Sequence, residues 1–380
     1  MDISVLIVGA GPFGLAIAAL ASEKQIQHAI VGLPMEFWRR HMPEGMYLRS
    51  ACDWHLDPLN IDTIERFVEL QGKTPKDVEP LSLDFYLSYV DWFQTQKKIE
   101  PTPVHIKRLD HFSNHFLANT EADATIQAQK VVLAPGFKHF SNVPRELKQR
   151  LSPCGFQHTC EFTDFGEATG KRFLIIGGRQ SAFEWAALLI ESGASAVHLV
   201  HRHDSPAFAV AEWSWVKPLV DNMVQDPNWF RLLSNEEKRS INQRLWSEGR
   251  LKIEPWLEPR LADDRVKIWP RTEVINCNEL DGSCRVQLST GAVVEVDEIV
   301  LATGYKVDVG RLPYLANGNI MSRLETRNGY PCLDDHFETS IPGLFITSMP
   351  AVQDFGPYFG FTIAVRTSAA LICERLVGNA

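Results

Sequence analysis

The chain is short of the features that would announce a simple function. Its seven cysteines stand at 52, 154, 160, 277, 284, 332 and 373, and no two are spaced C-x-x-C. That argues against a zinc knuckle or a dithiol redox pair and fits a reduced, cytoplasmic interior. Positive charge is in deficit, with 38 Lys and Arg against 47 Asp and Glu. A net charge of −9 gives no electrostatic reason for a nucleic-acid partner, so any phosphate must be held by local features. Long apolar runs are scarce too. The one membrane-like stretch, residues 3–21, lacks a basic lead and carries three glycines and a proline at ordered spacing, so no membrane span or signal segment is expected. There is no G-x-S-x-G elbow, no H-E-x-x-H helix and no clustered ligand set, hence no expected metal. No low-complexity tract interrupts the chain, and 380 residues at 45% hydrophobic content predict a sizeable core divided between two domains.

What is present is a doubled phosphate-binding pattern. Residues 3–8 read as a buried strand that enters Gly9-Ala10-Gly11-Pro12-Phe13-Gly14 and then an alanine-rich helix. In such a turn the first glycine allows the tight bend, the second lets backbone approach a pyrophosphate, and the third lets helix pack on strand. One partner is missing. The acid that usually ends the next strand and takes the ribose hydroxyls is replaced by Gly32, and the nearest carboxylate is Glu36. Backbone, Glu36, or the neighbouring Trp38, Arg39 and Arg40 are the candidates to replace it; plain surface arginines are an equal reading of the last two.

The pattern returns at 171–202. A strand at 173–176 leads into Gly177-Gly178-Arg179-Gln180-Ser181-Ala182, followed by an amphipathic helix ended by Gly193 and a strand at 196–200. Arg179 stands where glycine is expected. It cannot grant close backbone approach, but it offers a guanidinium to phosphate, with Gln180 and Ser181 as donors at the helix start. The second strand ends in His201-Arg202-His203, where a cation suits the 2′-phosphate of NADP rather than the bare ribose of NAD. Arg202 as an ordinary surface cation is the alternative.

Other segments complete the frame. Residues 131–137 and 298–305 are apolar runs ending in Ala134-Pro-Gly136 and Ala302-Thr303-Gly304-Tyr305, which read as buried strands whose glycines allow close passage of a cofactor. Phe85, Tyr89, Trp92 and Phe93 recur at helical spacing and read as core. Residues 205–265 break the alternation and read as an inserted helical segment, with Ser234 starting a helix, that caps a pocket, shapes an interface or fills the domain. Its Trp213, Trp215 and Trp229 read first as packing anchors, with contact to a partner or substrate as the other option. Near the C-terminus, a strand at 341–348 runs through a glycine-rich turn into a last helix, whose start would aim amides at a negatively charged group.

In this order the motifs resemble the two-dinucleotide-binding-domain flavoproteins, and the missing redox cysteines point to the class B flavoprotein monooxygenases. His158 and Phe162, with Thr159 between them, resemble half of that class's F-x-G-x-x-x-H-x-x-x-[FW] signature; Ser152 and Cys154 replace its Phe and Gly. Phe37-Trp38-Arg39 resembles its Gly-Gly-x-Trp region. The resemblance implies an α/β fold of two Rossmann-like dinucleotide-binding domains, with an NADP domain (161–290, helical insert about 205–265) inserted in a discontinuous FAD domain (1–160 and 291–380).

It implies FAD contacts at Gly9, Gly11, Pro12, Phe13, Gly14, Trp38, Arg39, Leu48, Arg49, Ala134, Gly136, Thr303, Gly304, Gln353, Gly356 and Phe359. NADPH contacts are implied at Gly177, Gly178, Arg179, Gln180, Ser181 and Arg202. Residues 46–58 occupy the place where the class brings substrate and nicotinamide to the flavin. Arg49 and Asp53 are therefore the catalytic candidates, and Trp54 and His55 the substrate-binding ones. A structural Arg49–Asp53 ion pair with Trp54 as core is the other reading. The implied activity is NADPH-dependent oxygenation of a small organic substrate by O2 through a C4a-(hydro)peroxyflavin. A flavin reductase or oxidase and a non-catalytic NADP-sensing flavoprotein are the alternatives, and homo-oligomerisation is left open.

Overall fold

The fold is described from a computed structural model covering residues 2–378. Each predicted phosphate turn sits at the carboxyl edge of a parallel sheet. In the first unit, β1 (Asp2–Val8) delivers the chain to α1 (Pro12–Glu23), then β2 (His28–Val31) returns beside β1 in parallel register. Gly14 and the alanines of α1 let it lie flat on the sheet, and nine of its twelve residues are buried. An aromatic helix, α2 (Leu83–Lys97), buries Tyr86, Tyr89 and Phe93, and its Ser82 cap accepts from the Phe85 amide. The chain then forms an antiparallel pair, β3 (Ile106–Phe112) and β4 (His115–Thr120), that leads into β5 (Thr125–Leu133) beside β1.

The second unit repeats the scheme. It contains β6 (Gln157–His158), β7 (Arg172–Ile176), α3 (Gln180–Glu191), β8 (Ala196–Val200) and β9 (Val266–Trp269). An antiparallel meander follows, β10 (Val274–Leu280), β11 (Ser283–Leu288) and β12 (Val293–Val296), before β13 (Glu298–Leu301). The parallel order is β9–β8–β7–β13–β6. Here the expected boundary is corrected: β13 lies within 291–380, the stretch expected in the first unit, but it pairs with β7 through Glu298↔Phe173 to Leu301↔Ile176. The reason is hydrophobic continuity that sequence order hides, since Ile299, Val300 and Leu301 are all buried in this sheet's two cores. Only afterwards does β14 (Leu344–Ile346) rejoin the first sheet beside the end of β5, followed by the terminal helix α4 (Val365–Val377) against α1.

The insert between β8 and β9 is helical, as predicted, with helices at Val216–Asn222, Trp229–Leu232 and Asn235–Arg250. Ser234 caps the last of these and forms a reciprocal capping box with Glu237. Although it branches from the second unit, the insert sends Val216, Val220, Met223 and Phe230 into the core of the first. It therefore spans the two units.

The cysteine reading also needs correction. Cys154 and Cys277, 123 residues apart, form a disulfide, and the Sγ of Cys284 lies within 4.8 Å of both. No short spacing signals this pair, because β10 and β11 are what bring the sulfurs to the segment after β5. No helix among the described residues is long and apolar enough to cross a membrane.

Candidate functional site

The first turn meets the steric demands of a phosphate cradle. Gly9 has φ +110°, and a Cβ there would lie 2.3 Å from the Ala134 carbonyl oxygen, so β1 and β5 can meet only if this residue is glycine. A Cβ on Gly14 would strike the Gly9 carbonyl at 1.8 Å. Around Gly11, by contrast, nothing lies within 4 Å of a built Cβ. Gly11 caps α1 without a side-chain acceptor, leaving the first amides of a twelve-residue helix facing open space.

Glu36 lies beside this turn, four residues past Gly32. Its carboxylate accepts from Lys138 Nζ at 2.7 Å and lies 3.4 Å from His105 Nε2. Burial opposes its ionisation, but the Lys138 hydrogen bond and charge outweigh that and lower its pKa. Lys138, two residues past Gly136, was not singled out in the sequence; a cation so close after a strand-end glycine was the available signal.

The second turn keeps the first steric rule and changes the next. A Cβ on Gly177 would lie 2.4 Å from the Ala302 carbonyl oxygen, as Gly9 does to Ala134. Ala302 begins the Ala-Thr-Gly segment, which therefore serves the second turn as Ala134-Pro-Gly136 serves the first. Gly178 is pressed against the rings of His201 and His203, where a Cβ would approach to 2.5 Å. Arg179 takes the N-cap position of α3 with extended backbone, so its side chain is admitted without strain. Gln180 is engaged by Glu184 and by the Glu254 amide.

One cavity of about 860 Å³ connects the two turns. That is near the top of the range of roughly 300–1,000 Å³ for small-molecule sites, as an extended ligand requires. Gly9, Gly11, Pro12 and Phe13 line one end, and Arg179, Gln180 and Ser181 another. Between them stand three aromatic rings from three separate segments. Trp54 from the 46–58 loop, Trp213 from the insert and Phe361 before α4 have centroids 6.1 to 6.4 Å apart. Each such pair contributes about 0.5–1.5 kcal/mol beyond area burial. The 46–58 loop is held from behind: Lys97 of α2 reaches Asp57 at 2.7 Å and Asp62 at 3.0 Å, and the Tyr89 hydroxyl bonds Leu56 and Asp62 backbone.

This geometry belongs to a known family, whose model matches residues 6–244 under the description pyridine nucleotide-disulphide oxidoreductase. The chain belongs to that family. Among relatives of this pyridine nucleotide-disulphide oxidoreductase, a probable indole-3-pyruvate monooxygenase of Arabidopsis thaliana is 23% identical over 358 residues, covering 86% of this chain and 79% of the relative. Among solved structures, an ornithine N-hydroxylase of Kutzneria sp. 744 superposes with TM-score 0.78 at 15% identity, over the whole of both chains. A bacillithiol disulfide reductase of Staphylococcus aureus gives 0.66 at 17% identity, over 100% of this chain and 99% of the other. At these identities the structural matches speak for the fold. The protein is a flavin-dependent NAD(P)H oxidoreductase.

Of the sequence candidates, Gly9, Gly11, Pro12, Phe13, Trp38, Leu48, Arg49, Ala134 and Gly136 line the cavity, with Trp54, Arg179, Gln180 and Ser181. Others face elsewhere. Arg39 pairs with Asp91 of α2 at 2.6 Å, outside the cavity wall. Thr303 Oγ1 donates to the Asn142 carbonyl and the Gly304 carbonyl meets His158 Nε2, so the residue of this segment that reaches the wall is Tyr305. In the C-terminal turn the expected positions do not face the cavity. Gln353 pairs with Arg327, Gly356 packs on Phe230 and Tyr358, and Phe359 is buried against Phe337 and Phe355. Pro357, Gly360, Phe361 and Thr362 line the cavity instead, just ahead of α4. The tight helical turns at 357–364 turn Tyr358 and Phe359 away from the cavity in a way no period in the sequence shows.

The catalytic candidates are also redistributed. Arg49 donates to Glu254 at 2.7 Å and to the Gly249 carbonyl at 2.8 Å, so neither the Arg49–Asp53 ion pair nor a free Arg49 guanidinium is found. Asp53 and His55 are absent from the cavity wall. Burial and the Arg366 charge push the His55 pKa down to about 3, and Arg366 Nη1 lies 2.7 Å from its Nε2. That imidazole is neutral and structural. Arg202 is exposed and stands off the wall.

Proposed function

We propose that the protein is an NADPH-dependent FAD monooxygenase that uses O2 to oxygenate a small organic substrate. The observation that carries this reading is the single cavity that joins both phosphate turns and closes on an aromatic wall, with no cysteine among its lining residues. The Cys154–Cys277 disulfide lies off that wall and packs in the second unit, which counts against thiol exchange with a substrate there.

The residues present fit the two cofactors. The open space at Gly11 and the free amides of α1 suit the pyrophosphate of FAD, with Glu36 beside the turn as its ribose acceptor. Ser181 and Arg179 at the start of α3 suit the phosphates of NADPH, and the exposed Arg202 suits its 2′-phosphate. When bound, the flavin supplies the redox chemistry with nicotinamide and oxygen. The chain supplies confinement. Trp54, Trp213 and Phe361 exclude water from the middle of the cavity and give an apolar substrate a face to pack on. Arg49, its guanidinium 5.6 Å from the Trp213 ring, holds the insert in position as the cavity's outer wall.

The test is oxygen bookkeeping on the purified, flavin-loaded enzyme with a panel of sulfur, nitrogen and ketone substrates. NADPH consumption coupled to an oxygenated product, with little hydrogen peroxide, is expected. NADPH consumption that yields only peroxide or a reduced acceptor with every substrate would establish the reductase or oxidase instead.

A further inference from the structure

The helical insert brings a second arginine to the second phosphate turn, and the charges there do not balance. Arg250 ends the helix Asn235–Arg250 and lines the cavity with Arg179 and Arg49. Arg179 Nη1 donates to the Arg250 backbone carbonyl at 2.6 Å. Both guanidinium groups stand over Trp246, at 4.7 Å for Arg179 and 6.0 Å for Arg250. Arg49, the third cation, has its carboxylate in Glu254, and neighbouring Lys252 has Glu248 at 2.6 Å. Among the described residues, neither Arg179 nor Arg250 has a carboxylate within ion-pair distance, and the Arg250 side chain makes no hydrogen bond. Arg250 lines the cavity at its exposed rim and Arg179 is half-buried; desolvation and then the Arg49 charge lower the Arg250 pKa, as desolvation and then Arg250 do for Arg179.

Two clustered cations without an anion, facing one cavity at the start of α3, are an anion site. A guanidinium has five N–H donors, so Arg179 can keep its bond to the insert and still offer others to a phosphate. We infer that Arg250 of the insert and Arg179 of the second turn grip one pyrophosphate between them, making the insert itself part of the nicotinamide nucleotide site. This rests on the nucleotide reading proposed above. It gives the arginine in the second turn a purpose: the phosphate that backbone amides hold at Gly11 is held here by side chains from two elements. Nucleotide binding thereby fastens the insert, with Trp213, over the cavity.

Isothermal titration of the flavin-loaded enzyme with NADP⁺ and with NAD⁺ tests it, because both contain the pyrophosphate and only one has the 2′-phosphate. Arg250→Ala should raise the Kd for both by the same factor, about 10- to 100-fold, the loss expected for a hydrogen bond to a charged group. Arg250→Lys should recover part of it, keeping the charge but not the planar fork. Unchanged affinity for both nucleotides in an Arg250→Ala protein that keeps its flavin would overturn the inference alone. Loss confined to NADP⁺ would overturn it too, placing Arg250 at the 2′-phosphate. If the unaltered enzyme binds neither nucleotide, the nucleotide reading itself falls.

Discussion

The two glycine turns of this protein share one steric rule and differ two places later. Gly9 and Gly177 both pass within van der Waals contact of a neighbouring strand's end, so both positions demand glycine. Two places later they part: Gly11 leaves open space for backbone amides, whereas Arg179 fills that space with a guanidinium clamped to the insert. The first turn has Glu36 and Lys138 paired beside it within its own unit. The second is tied to the insert through the bond from Arg179 to the Arg250 carbonyl. That difference suits one ligand held permanently and another exchanged at each turnover.

The sharpest way to break the comparison is to violate the shared rule at each turn. Gly9→Ala places a methyl 2.3 Å from backbone and should give protein that purifies without yellow colour. Gly177→Ala, at 2.4 Å, should keep the flavin spectrum and lose nucleotide binding. A Gly177→Ala protein that also loses flavin would show that the two units do not act separately.

A large effect is also expected behind the aromatic wall. Lys97→Met leaves the buried Asp57 without its cation and Asp62 with Arg66 alone, at 3.4 Å, and should cost about 3–5 kcal/mol in denaturant unfolding. Burial raises the Asp57 pKa, but the Asp62 and Leu59 amides and Lys97 outweigh it, so the net shift is downward. A depressed carboxylate stabilises the fold above its unfolded pKa, near ~4, and that contribution is lost as pH falls through the lower folded value. Melting temperature should therefore drop below about pH 4, and this acid dependence should shrink in Lys97→Met.

Smaller effects separate the charges around the second turn. Arg202→Ala should raise KM for NADPH about tenfold while leaving NADH nearly unchanged, the loss of one charge-assisted contact. Equal losses would remove Arg202 from the 2′-phosphate. Arg179→Gly restores the usual glycine and should still weaken NADP⁺ binding several-fold, of order 1 kcal/mol, with flavin retained. Tighter binding in that variant would mean that the side chain obstructs the turn.

Much of the architecture is legible in the chain because it depends on neighbours in sequence. Glycine at 9, 14 and 177 follows from the bend of a strand into a helix, and the helix start at Ser234 from a local capping box. The aromatic helix at 83–97 shows part of its buried face through its period: Tyr89 and Phe93 are buried, Phe85 and Trp92 are half-buried against the core, and Tyr86 is buried beside them. Side-chain direction within irregular turns is less legible. At 353–362 the sequence reading names Phe359, whereas consecutive short helical turns aim Phe361 at the cavity and Phe359 at the core.

By itself, then, the sequence determined the two glycine turns, their helices, the helical insert and the family to which they belong, because each is specified by sterics and periodicity over a few residues. Tertiary structure alone decided that Glu298–Leu301 completes the second sheet, that Cys154 bonds Cys277, and that Arg49 is matched by Glu254 while Arg250 is left unmatched beside Arg179. Those outcomes join residues up to about two hundred positions apart, and no local preference of either partner encodes the meeting. Burial of whole faces brings such groups together.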